Sequence, residues 1–352
     1  MIKSLSPYYK NIPWSSPSGG GTPDKYILNI YIWNSLKSVV PGVPSYEIEN
    51  INPLGRTGIT KVDISKYVNS ILNTDVVTNT TTSLNNGNSL VWVKTEVIYY
   101  IAGVAQSPEL VEIESAIKGY GYGLEGENPT LNNNDLTTRI EQKVSKDSVY
   151  LFPFLASETV STVIKIQSEN VTKTLTKTAT TSSIELAQSC YIKVSEFYPD
   201  EWIEIYKDDV LINTLLITEE PRYSPIDVVF LNKEGALQTL TFFKEKIESL
   251  KTESETYESS SGQPLDGVHQ FKNYNVNGKT SFSVNSGFVK EDNNEIFKQL
   301  FLSSLIWQIK DNVYIPLNIE SKSLEYKSRQ KDRLINYKVN FSYSFNEINN
   351  IW

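Results

Sequence analysis

From Tyr26 onward the chain alternates with period two. Tyr26, Leu28, Ile30 and Ile32 fall on one side of an extended segment, and Ile27, Asn29, Tyr31 and Trp33 fall on the other. The pattern returns at 46–51, 90–102, 110–117, 225–245 and 334–345. Helical spacing is confined to a short turn within 61–72 and to Ile296, Phe297, Leu300, Phe301 and Leu305, which follow a plausible cap at Asp292 or Asn293. Strands of this kind bury one face by pairing and stacking, so the expected class is mainly β. Tandem β-sandwich domains are expected, the last with one helix packed on a sheet.

At 352 residues the chain exceeds the usual single domain of about 100–200 residues. Its patterning divides it into an extended N-terminal arm at 1–25, an N-terminal β-sandwich domain at 26–148, a small Ig-like β domain at 149–220 and a C-terminal β domain at 221–352. The arm follows from Pro7, Pro13, Pro17, Pro23 and the run Gly19, Gly20, Gly21, which resist regular pairing. Tyr8, Tyr9 and Trp14 within it need burial. Two readings remain for it, a flexible leader or an arm that docks on a neighbouring subunit. The Ig-like reading rests on short apolar runs at 160–166, 171–177, 183–186, 190–194, 202–207 and 210–217, with a tight turn at Lys207-Asp208-Asp209 and Trp202 expected in the core. Asn86-Gly87 marks a hairpin turn, and Asn232–Gly235 closes another between the strands of 225–245. The polar stretch 244–261 fits a surface strand or a loop, and a strand is expected at 322–326.

The residue inventory removes most catalytic designs. There is one histidine, His269, one cysteine, Cys190, and one methionine. Metal centres, acid–base relays and thiol or serine nucleophiles draw on His or Cys, so no cofactor, no metal and no enzyme activity are expected. A glycosidase needs only two carboxylates. Glu125 and Glu127 are candidates, but they sit two apart in a Gly-rich loop where solvation explains them equally well. That loop, 119–131, interleaves glycines with Tyr120 and Tyr122. It lacks the Lys-Ser/Thr pair and following helix of a phosphate loop and reads as a surface loop. The net charge of −8 argues against direct nucleic-acid binding, which draws on clustered Lys and Arg. The N-terminal residues contain no apolar signal core, and no segment approaches the roughly 18–20 apolar residues of a helical span, so membrane insertion is not expected.

Four phrases resemble the tail and baseplate structural proteins of tailed phages infecting Bacteroidetes hosts: VDISKYVNSIL (62–72), GYGYGLEGENP (119–129), PIDVVFLNKEGALQTLTFFKE (225–245), and SFSVNSGFV (281–289) ahead of a helix and paired strands. The resemblance implies a virion protein assembled in the host cytoplasm and repeated around a tail axis as a ring or adaptor. Its partners would be copies of itself, other tail or baseplate proteins, and tail fibres or host glycan. The final strand–helix–strand–strand segment is similar in pattern to the tail-tube-like domain of distal tail proteins, although here it stands last. No site residue carries over, because such proteins work by interface. The alternative is a carbohydrate- or receptor-binding tail protein presenting Tyr120 and Tyr122, and a third reading is a glycan-cleaving tail enzyme. Low-specificity contact candidates are Tyr8, Tyr9, Trp14, Tyr120 and Tyr122.

Overall fold

The computed structural model describes residues 1–15, 21–52, 55, 57–74, 76, 79, 81–86, 90–131, 136–138, 141–220, 222–259, 269–321, 323–324 and 334–348. The turn glycine expected at position 87, and Lys322 and Tyr326 of the strand expected at 322–326, lie outside them. The protein is mainly β, with several sheets and one substantial helix, consistent with the β-sandwich class.

The first unit contains β1 (Ile2–Lys3), β2 (Tyr9–Pro13), β3 (Lys25–Trp33), β4 (Tyr46–Ile51), β5 (Ile59–Asp63), helix α1 (Ser65–Asn69), β6 (Ser83–Asn86), β7 (Leu90–Ile101), β8 (Val104–Ala105) and β9 (Glu109–Ile117). Its main sheet runs β1-β9-β7-β3-β4, with β8 also on β7 and β1 parallel to β9. Period two decides its faces. Tyr26, Leu28, Ile30 and Ile32 pack with Val91, Val93, Val97 and Tyr99 into one core, which Val68 of α1 closes. Each such side chain contributes roughly 1.5–3 kcal/mol when fully buried. The strand-to-turn reading of 61–72 matches β5 and α1, and the Asp63 carboxylate fixes the join by accepting from the Ser65 backbone N–H and hydroxyl.

The N-terminal residues differ from the expected arm. Ile2, Ile12 and Trp14 enter the core just described, and β2 pairs antiparallel with β5 from Tyr9↔Asp63 to Pro13↔Ile59. The prolines do not prevent this, because Pro7 precedes β2 and Pro13 is its last residue, where a missing N–H is tolerated.

The middle unit contains β10 (Glu141–Val144), β11 (Val149–Leu155), β12 (Thr162–Gln167), β13 (Thr172–Lys177), the helical turn α2 (Ser183–Leu186), β14 (Ala187–Lys193), β15 (Trp202–Lys207) and β16 (Val210–Ile217). A five-stranded sheet, β10-β16-β15-β12-β13, faces a three-stranded one, β11-β14-β6. Ile164, Ile166, Ile203, Ile205 and Leu215 meet Phe152, Phe154, Cys190 and Ile192 between them. Two features depart from the sequence reading. Residues 183–186 form a helical turn, whose Glu185 and Leu186 N–H groups donate to the Ser182 carbonyl. Trp202 lies opposite Leu216 on the outer face, half-buried, because Ile203 and Ile205 take the inward parity. β6 also crosses from the first unit to complete the smaller sheet.

The last unit contains β17 (Ile226–Leu231), β18 (Leu237–Phe242), β19 (Ile247–Glu258), β20 (Phe271–Asn285), β21 (Val289–Lys290), helix α3 (Asn294–Leu302), β22 (Ile306–Lys310), β23 (Val313–Ile319), β24 (Leu334–Ile335) and β25 (Lys338–Tyr343). Seven strands run β18-β17-β22-β23-β25-β20-β19, and β21 pairs with β24. One face takes α3 through Ile296, Phe297 and Leu300, against Val228, Phe230, Phe242 and Phe341. From the other face, Val229, Leu231 and Leu237 pack on Leu151 and Tyr191 of the middle unit. β11 and β14 of the three-stranded sheet are thus buried on both faces, which explains the nearly unbroken apolar run of β11.

Candidate assembly interface

The Gly/Tyr loop after β9 is built into the joint between the first and last units. Tyr120 N–H donates to the Lys233 carbonyl at 2.9 Å, in the turn that links β17 to β18. Tyr122 hydroxyl donates to Glu295 Oε1 of α3 at 2.6 Å, and the ammoniums of Lys298 and Lys233 stand 3.4 and 4.4 Å from its ring centroid. Tyr120 and Tyr122 themselves meet edge to face at 6.0 Å. Burial, reinforced by Glu295 and Glu234, pushes the Tyr120 phenol well above its usual range. Beside them Lys3, wholly buried on β1, pairs with Glu234 at 2.7 Å. Burial holds Glu234 above the ordinary carboxylate range, against the pull of Lys3. Backbones touch here as well: a Cβ on Gly235 would fall 2.7 Å from Gly119 N. These two tyrosines therefore fasten one unit to another and do not form an exposed platform.

The N-terminal candidates are also internal fastenings. Tyr8 hydroxyl donates to Glu114 Oε1 at 2.6 Å, and Lys10 bridges Glu112 and Glu114 on β9. Tyr9 N–H donates to Asn128 Oδ1 at 2.6 Å, and Lys61 stands over the Tyr9 ring. Trp14 Nε1 donates to Thr60 Oγ1 at 2.7 Å, and its ring packs 4.8 Å from that of Tyr26. A cavity of 260 Å³ opens beside Tyr8, Tyr9, Lys10 and Glu112.

The remaining chemical candidates are dispersed. Glu125 is tied to Lys233, and Glu127 to Lys61 at 2.6 Å. The Cys190 thiol is buried, and that burial raises its pKa. His269 is exposed, its carbonyl accepting from Ser259 Oγ. Among the described residues, no group of three or more His, Cys, Asp or Glu is placed to hold a metal. A groove of 1060 Å³ between the middle and last units is lined by Asp147, Arg222, Asp227, Lys246 and Lys310, among others. Burial raises Asp227 above the ordinary range, opposed by hydrogen bonds to its Oδ1 from Thr241 at 2.6 Å and Ser148 at 2.9 Å. Those two bonds link β18 to the middle unit, so Asp227 is held as part of a joint.

The feature the sequence left open is the stretch after 244. It is a strand, β19, exposed at every position and antiparallel to β20 along its length. Beyond the body of the sheet, Phe271 to Val276 are exposed too. This two-stranded ribbon carries Leu250 at 60% exposure, Tyr257 at 47%, Phe271 at 61% and Tyr274 at 43%. The Tyr257 and Tyr274 rings meet at 5.6 Å across the strands. Single exposed apolar residues are ordinary, but a run of them along one projecting element marks an interaction surface. The outer edge of β19 also offers a row of backbone groups for pairing.

Comparison with known protein families, with curated proteins and with solved structures found no match.

Proposed function

We propose that this chain is a structural component of a tailed-phage virion, a ring or adaptor protein of the tail or baseplate that acts by subunit assembly. Its partners are copies of itself and neighbouring tail proteins, with tail fibres attached to the ring, and its place is the virion tail. The reading is non-enzymatic. The observation that supports it is the β19–β20 ribbon, whose exposed apolar and aromatic residues serve no core of their own and whose open edge suits pairing with another chain. The mainly β architecture and the sequence resemblance point the same way. The carbohydrate-binding alternative has less support, since the two tyrosines meant to present glycan are engaged by Glu295, Lys233 and Lys298. Negative-stain images of the purified full chain are expected to show closed rings. A monomeric particle that binds no other virion protein contradicts the proposal.

A further inference from the structure

The three large sheets end in six strands, and their burial and charge separate them. β18 is buried throughout, β1 is two buried residues, and β10 lies against β18 with Glu141 held by Lys290 at 2.7 Å. β6 approaches β13 without pairing to it, which leaves β4, β13 and β19 as open edges. Their compositions differ. β19 carries Glu248, Glu253, Glu255 and Glu258 against a single lysine, Lys251. β4 carries Glu47 and Glu49 and no cation. β13, with the sequence TKTLTK, carries Lys173 and Lys177 and no carboxylate.

Like charges directly opposite one another destabilise a strand pair, and opposite charges support it. Pairing β19 with a second β19, or with β4, sets carboxylates against carboxylates. Pairing β19 with β13 sets them against a strand with no carboxylate of its own. Lys173 and Lys177 are already paired with Glu196 and Glu185, which makes this edge near-neutral where the other two are acidic, and Lys165 in the adjoining strand adds one further cation. Length agrees as well: the six residues of β13 match 253–258, the distal half of β19. The proximal part of the ribbon is approached by the chain's last described residues, where Glu347 N–H donates to the Gly278 carbonyl.

We propose that the distal half of β19 in one copy adds as a strand to β13 in the next, joining two different surfaces of the same chain. This inference rests on the assembly reading above and specifies its contact. A contact between unlike surfaces propagates head to tail and closes into a ring when the rotation between copies permits. It uses backbone hydrogen bonds for affinity and charge for the choice of edge.

The test is hydrogen exchange on the full chain, dilute and assembled, with two charge variants. Amides of 172–177 and 253–258 are expected to exchange at least tenfold more slowly on assembly, while those of β4 do not change. The variant E253K/E255K and the variant T174E/T176E, each altered at two exposed positions two residues apart, should each self-associate at least tenfold more weakly. A mixture of the two should associate again, because the swapped charges then face each other. Rings in which 172–177 stays unprotected overturn this pairing and leave the assembly reading in place. A chain that remains monomeric at every concentration overturns both.

Discussion

At the scale of single residues, the joint between the first and last units depends on atoms that are missing. Gly235 sits at φ +84°, and a Cβ there would fall 2.7 Å from both Gly119 N and Lys118 C. Neither backbone can give way without moving a strand. Gly235→Ala should therefore cost about 3 kcal/mol, combining left-handed strain with overpacking. Gly55→Ala, also left-handed at φ +60° but facing open space, should cost only about 1 kcal/mol, and urea unfolding midpoints will compare them. Glu114 supplies a pH-dependent case. Burial pushes its pKa up, but hydrogen bonds from Lys10 and Tyr8 outweigh burial and hold it below the ordinary value. A lowered carboxyl contributes stability that is present above its unfolded pKa and is lost as pH falls through its folded one. Glu114→Gln should thus flatten part of the acid limb of stability against pH. An unchanged acid limb would show that Lys10 and Tyr8 do not hold the carboxylate in solution.

At the scale of elements, the sequence was legible wherever one face of a strand is wet. β4 and β15 fall where period two puts them, because alternation in sequence follows alternation in burial. Legibility failed for three physical reasons. β11 is buried on both faces, so its run VYLFPFL carries no alternation to read. β6 is four residues, three of them polar, and becomes a strand only by pairing with β14, a partner over a hundred residues away. In β2 the flanking prolines concealed a strand whose Ile12 fills a core laid down by β3 and β7. The internal partners of the contact candidates were hidden for a related reason. Tyr8, Tyr9, Trp14, Tyr120 and Tyr122 looked available because their local sequence is Gly- and Pro-rich. Tertiary partners such as Glu114, Asn128, Thr60 and Glu295 take up their polar groups instead. The ribbon was half legible: Glu253, Glu255 and Tyr257 share strand spacing, yet nothing in that spacing says that both faces stay in solvent.

At the scale of the molecule, one three-stranded sheet serves two neighbours. It closes the middle sandwich with Phe152, Phe154 and Ile192, and it covers the seven-stranded sheet with Leu151 and Tyr191. The Gly/Tyr loop, the Lys3–Glu234 pair and the Asp227 hydrogen bonds complete the joints between units. Against this tied body, the β19–β20 ribbon is the long element that stands outside, and an isolated two-stranded hairpin is marginally stable in water. On the proposed assembly reading, the ribbon makes the contacts between chains. Its most direct test is sedimentation velocity on the full chain beside a variant lacking 251–279, with Leu250 and Thr280, which face each other across the ribbon, joined by an Asn-Gly turn. The account predicts that the full chain self-associates with rising concentration, while the shortened chain stays monomeric and unfolds at the same temperature. Equal association of the two chains would contradict it.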